Sequence, residues 1–299
     1  VVFWLDVNQN GFISMINQLV NLFKLRIGII IAVTALVAMV VTPGQMTSIW
    51  DAVILSLAVL MASASAGAFN QYYEWELDAH MPRTSNRPFV TGVFKRDYRW
   101  LIAIVALLVF SVGWAAVTLN EMAALYIFLG AFSYAIVYTV WLKRRTWMNI
   151  VIGGAAGSFA VLAGAAAIDP GLGPIPIILA IVLFLWTPSH FWSLAIAQHQ
   201  EYEKAGVPML PVVVGDELAA KAVLWNTLLL VGFSIVPFFY GMGWIYLLGA
   251  VSGGGYFIYR NIQMIGEPSR KRAMSSFFAS LIQLIVLLAF AVVDVLLIP

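Results

Sequence analysis

About nine apolar runs, each long enough to cross the hydrocarbon core of a bilayer, decide what this chain can fold into. They fall at about 27–43, 50–69, 99–118, 121–141, 149–168, 175–197, 219–239, 243–260 and 276–298, with roughly 17 to 25 residues in each. With 62% hydrophobic and 10% charged residues among 299, the composition does not suit a soluble domain. The expected fold is all-α, a single polytopic membrane domain over 1–299. It opens with an N-terminal segment, 1–24, in which Phe12 to Phe23 reads as a short interfacial helix. No basic n-region or small-residue cleavage site marks a signal peptide, and no other presequence is evident, so a bacterial inner membrane is the expected location.

Lysine and arginine collect on the cytoplasmic side of membrane proteins, and all 16 here fall on alternate loops. Lys24 and Arg26 precede the first run; Arg83, Arg87, Lys95, Arg96 and Arg99 lie between the second and third. Lys143, Arg144 and Arg145 follow the fourth, Lys204 and Lys221 flank the sixth connection, and Arg260, Arg270, Lys271 and Arg272 lie in the eighth. Opposite loops such as TPGQMTSIWD and DPGLGPIP have none. The N-terminus and the basic loops are therefore expected in the cytoplasm, and an odd helix count puts the C-terminus outside. Scattered in this way, a net charge of +2 makes no nucleic-acid-binding face. The absence of Cys excludes disulfides and thiolate chemistry, and three His argue against a polyhistidine metal site.

Two basic loops, roughly 70–98 and 198–218, are longer and richer in functional groups than turns require. The first begins NQYYEWELDAHMPRTSNRP, in which Asn70, Glu74 and Asp78 recur every four residues and share one helical stripe. One amide and two carboxylates suit a hard divalent cation, and Mg²⁺ is held by a few carboxylates together with substrate phosphate oxygens. Glu76 points away from that stripe. Arg83 and Arg87 follow, with guanidinium forks that match phosphate oxygens. A metal-bridged diphosphate reconciles acids and arginines at such close spacing; the plainer alternative is that the two sets pair with each other at a solvated helix end.

The second loop, LWTPSHFWSLAIAQHQEYEKAGVPMLP, offers Glu201 as a further acidic ligand, and Pro188 is expected to kink the sixth helix. His190, beside Phe191 and Trp192, is either a substrate contact or a packing residue. A third segment, YTVWLKRRTWMNIVIGGAAG, carries Lys143, Arg144 and Arg145, which alone would be ordinary membrane anchors. Tyr138 and Asn149 are placed to face a cavity, and the run Gly153 to Gly157 permits close helix approach or leaves room for a flat ligand.

Together, in this order and spacing, the three segments resemble the protoheme IX farnesyltransferases (heme O synthases) of the UbiA intramembrane prenyltransferase superfamily, over about 24–215. The resemblance implies nine helices around a central cavity, with two acidic motifs holding Mg²⁺ and a prenyl diphosphate, and transfer of a farnesyl group to a vinyl group of heme b. It implies Asn70, Glu74, Asp78 and Glu201 as catalytic metal ligands, and Arg83, Arg87, Lys143 and Arg144 as diphosphate contacts. His190, Trp192, Tyr138 and Asn149 are candidates for the acceptor pocket. Departures from the family pattern are Glu74 and Glu201 in place of Asp, Gln198 in place of Arg and His199 in place of Lys. Ala160, Val161, Ala165 and Ser189 depart from it as well, near the expected acceptor side.

Farnesyl diphosphate, heme b and the bilayer are thus the expected partners, and no side-chain nucleophile is required. Two other readings stay open. A UbiA-type transferase acting on an aromatic or quinone-precursor acceptor would prenylate a phenolic acid instead of heme. A transporter would carry its ionisable groups near the bilayer midplane, whereas these lie at one surface.

Overall fold

The computed structural model describes residues 15–44 and 48–297, and among them every regular element is helical. A short helix α1 (Met15–Leu22) meets α2 (Leu25–Val41) at a bend of 50°. Lys24, at the bend, has φ 48°, the left-handed region that a non-glycine residue seldom adopts. The expected interfacial segment is thus helical from Met15 onward, and its first residues lie outside the described part.

Next come α3 (Ile49–Tyr73), α4 (Trp75–Ala79), α5 (Pro88–Thr91), α6 (Tyr98–Thr118) and α7 (Glu121–Phe132). The last of these continues as a ten-residue π-helical run, Ser133–Leu142. There follow α8 (Asn149–Gly153), α9 (Ala155–Ala166), α10 (Pro174–Ala197), α11 (His199–Lys204) and α12 (Leu210–Val214). The chain ends with α13 (Asp216–Ile235), a 3-10 turn (Val236–Tyr240), α14 (Trp244–Gly266) and α15 (Arg270–Leu297).

Local chemistry sets many of these boundaries. Ser48 and Asp51 form a capping box at the start of α3, and the Asn120 side chain accepts from the Ala123 N–H at the start of α7. The start of α14 is capped from a distance: buried Asp294 on α15 accepts from the backbone N–H groups of Gly243 and Tyr246. Pro188 does not interrupt α10, which is helical throughout. A proline at this position disturbs the carbonyls of the preceding turn, and the Asn226 amide on α13 donates to one of them, Leu185 O.

The long helices close in a ring. Each of α2, α3, α6, α7, α9, α10, α13, α14 and α15 packs on the next, and α15 returns to α2. Lipid as the outer solvent explains which faces are turned where. Val117, Phe239 and Trp225 point outward, whereas Ser111, Thr227, Asn261 and Ser276 are fully buried between helices. Gly164 sets the closest approach, between α9 and α2, since a Cβ there would lie 1.9 Å from Ala35 O.

Seven helices among the described residues are long and apolar enough to cross a membrane, and the bent α1–α2 pair makes eight. Nine spans were expected. The difference is α14, 23 residues long, where three consecutive glycines and the polar Arg260, Asn261 and Gln263 lower the hydropathy.

Candidate active site

The acidic stripe stands at the end of α3. The helix breaks for one residue at Glu74 (φ −96°, ψ 13°) and resumes as α4. The i to i+4 backbone bonds nevertheless continue across the break, from Glu74 N to Asn70 O and from Asp78 N to Glu74 O. Asn70, Glu74 and Asp78 therefore keep a common face, and all three are buried. Glu76 is exposed, as its position off the stripe requires. Thr84 fixes the following loop by donating to Asp78 O at 2.9 Å.

Each carboxylate has a basic partner. Lys143 Nζ lies 2.5 Å from Glu74 Oε2, and an Arg87 nitrogen lies 2.5 Å from Asp78 Oδ2. Asn70 Nδ2 donates to Glu74 Oε2 at 2.7 Å and to Thr139 Oγ1 at 3.0 Å. A further basic side chain completes the group: Lys24 Nζ donates to Asn70 Oδ1 at 2.6 Å and to the Tyr134 hydroxyl at 2.8 Å. The π-helical run supplies Tyr134, Tyr138 and Thr139 and ends at Lys143, whose N–H reaches back to Tyr138 O. That wider winding sets which of its side chains face α3.

The second rich loop approaches through Tyr202, whose hydroxyl accepts from Arg83 at 3.4 Å. Burial raises the Tyr202 phenol above its ordinary value, with Arg83 opposing and Glu201 and Glu74 adding to the rise. Two carboxylate oxygens, Glu74 Oε1 and Glu201 Oε2, are buried without any hydrogen-bond partner. Among the described residues, no three acidic or histidine side chains stand close enough to hold an ion by themselves.

Directly below Lys24 and Tyr134 lies a cavity of about 170 Å³ between α2, α3, α7 and α9. Its walls are mostly apolar or small, including Ala62, Ala66, Gly130, Ala131, Gly157 and Ala160, with Phe191 of α10 on one side. The ion-paired cluster thus adjoins an apolar cavity, and Lys24 and Tyr134 belong to both.

The other sequence candidates are placed differently. Arg144 is exposed on the turn after the π run. Asn149 is fully buried and donates to Lys143 O at 3.2 Å, so it holds the turn that presents Lys143. Tyr138 stacks on Tyr134, with ring centroids 5.6 Å apart. Trp192 packs among Ile196, Leu210, Val223 and Met264, on the side of α10 facing α13 and α14, because successive residues of a helix point in different directions. His190 is sandwiched between Trp186 and Phe277, at 4.2 and 4.4 Å, and its Nδ1 lies 2.7 Å from Ser280 Oγ. None of these four expected acceptor residues lines the cavity. Of this cluster on α10, it is Phe191 that does.

The UbiA prenyltransferase family model matches residues 31–282. The chain belongs to the UbiA prenyltransferase family. It is 52% identical over 279 residues to protoheme IX farnesyltransferase 2 of Paramagnetospirillum magneticum, covering 93% of this chain and 97% of that protein. Among solved structures, one of digeranylgeranylglyceryl phosphate synthase is similar at a TM-score of 0.80 and 17% identity, covering 95% of this chain and all of that one. A UbiA homologue from Archaeoglobus fulgidus bound to DMAPP and Mg²⁺ is similar at 0.66 and 18% identity, covering 90% and 99%. The ring of helices is therefore the UbiA fold, and the protein is an integral membrane prenyltransferase.

From sequence, Lys24 reads as a membrane anchor, and no spacing singles out Tyr134, Thr139 or Tyr202. A basic residue at the start of an apolar run carries the same signal whether it anchors or lines a site.

Proposed function

We propose that this prenyltransferase transfers a farnesyl group from farnesyl diphosphate to a vinyl group of heme b, giving heme O. The observation that carries the reading is the apolar cavity beside the ion-paired cluster. Paired acids and cations, which fit a metal-bound diphosphate, sit directly on an apolar cavity that fits its prenyl tail. The 52% identity to a protoheme IX farnesyltransferase supports heme b as the acceptor.

The donor set fits Mg²⁺ only as a metal shared with a diphosphate: Asn70, Glu74, Asp78 and Glu201 would hold it together with phosphate oxygens, since no three acids among the described residues converge by themselves, and two orphaned buried carboxylate oxygens are otherwise costly. When bound, the ion supplies positive charge next to the leaving diphosphate. Arg83, Arg87 and Lys143 bind the remaining phosphate oxygens and stabilise the charge that develops as the C1–O bond breaks. Lys24 orients Asn70 and lines the mouth of the cavity. The cavity walls keep water from the allylic cation, and the vinyl π electrons of heme form the new carbon–carbon bond. Water then captures the cation left on the acceptor and gives up a proton. We place the site at the cytoplasmic face, a reading the loop charges support.

The test is purified protein with Mg²⁺, farnesyl diphosphate and heme b, followed by mass analysis. Heme O is the expected product. Prenylation of a phenolic acid with heme b untouched overturns the acceptor.

A further inference from the structure

The cavity below Lys24 has a measurable depth, and four helices report it independently. Lining residues run from Lys24, just before α2, to Ile31 on α2, from Gly67 to Val59 on α3, from Tyr134 at the start of the π-helical run to Tyr126 on α7, and from Ala156 to Ala163 on α9. In each case seven or eight helical steps separate the mouth from the far end, which at 1.5 Å per residue is about 11–12 Å. About one turn further on, the space is filled: Ala35, Leu55 and Ala124 are buried and belong to one packed cluster with Val59, Ile127 and Ala163.

We propose that Val59, Ile127 and Ala163 form a floor that sets the length of the prenyl chain this enzyme accepts, with Ala160 on the wall above it. The inference rests on the reading of the cavity as the seat of the donor's tail. An extended farnesyl chain has eleven main-chain bonds, each advancing about 1.25 Å, for a length of about 14 Å. With its first carbons held at the polar mouth, the rest spans the cavity. A geranylgeranyl chain is about 5 Å longer and meets the floor, while a geranyl chain leaves the floor uncovered. Each CH₂ left unburied weakens binding by about fourfold.

The probes are geranyl, farnesyl and geranylgeranyl diphosphates, with their unreactive thiolodiphosphate analogues, on the whole purified protein. Thermal stabilisation by the analogues reads binding, and kcat/KM with heme b reads turnover. In the unsubstituted protein the farnesyl compounds should lead in both. Ala160→Phe narrows the cavity above its floor and should shift the preference at least tenfold toward geranyl. Val59→Ala with Ile127→Ala lowers the floor and should shift it at least tenfold toward geranylgeranyl. An unchanged order of chain lengths in the variants overturns the floor, and the double variant decides if Ala160→Phe does not fold. If the analogues rank by length and shift as expected while no donor prenylates heme b, the floor stands and the heme reading fails. If heme b is prenylated with an unaltered length order, the floor fails and the heme reading stands.

Discussion

Glu74 has one carboxylate oxygen bound by Lys143 and Asn70 and the other buried without a partner. A charge held in that way is expensive unless a ligand completes its shell. Glu74→Gln and Asp78→Asn should each lower kcat/KM with farnesyl diphosphate by 100-fold or more while leaving the helical circular dichroism unchanged; turnover within threefold of normal in both would sink the proposed role of the acids. Tyr202→Phe removes the acceptor for Arg83 and should raise the KM for donor more than it lowers kcat, as steady-state kinetics would show. At this scale the stripe of Asn70, Glu74 and Asp78 was legible because residues four apart share a helical face, and the face survives the break at Glu74. His190 and Trp192 were less so: their neighbours come from α13, α14 and α15, far along the chain, and no local spacing reveals them.

At the scale of elements, the two devices that matter most are a proline tolerated inside α10 and a close approach between α9 and α2. Asn226→Leu strips Leu185 O and Ser189 Oγ of a donor inside the bundle. It should cost about 1–3 kcal/mol, read as a lower unfolding temperature in detergent. Gly164→Val pushes a side chain into the Ala35 backbone and should reduce the yield of folded protein by gel filtration far more than the same change at exposed Gly113, where nothing lies within 4 Å. Most of the spans could be read from hydropathy alone, since lipid-facing helices must be apolar along their length. The π-helical winding of Ser133–Leu142 could not, because its composition is that of any membrane helix. α14 was expected at 243–260 and is found at Trp244–Gly266; its glycines and its later polar residues lower its hydropathy, yet it packs between α13 and α15 like the other long helices.

For the whole molecule, the orientation proposed from loop charges can be tested cleanly because the chain has no cysteine. Cysteine placed at exposed Arg144 should react with an impermeant maleimide only after the membrane is opened, and cysteine at Asp169 should react in intact cells. The opposite pattern would invert the protein. The pairing of Glu74 with Lys143 and of Asp78 with Arg87 also has a consequence for how ligands arrive. Lys143 and Arg87 occupy Glu74 and Asp78, whereas Glu201 keeps a buried oxygen without a partner. A divalent ion arriving alone must compete with lysine and arginine for the acids, and a diphosphate arriving alone must compete with the acids for the cations. Arriving together, they exchange partners, and each frees what the other needs. Calorimetry should therefore show that Mg²⁺ and inorganic pyrophosphate each bind weakly alone, and that each raises the other's affinity by the same factor, about 10-fold or more.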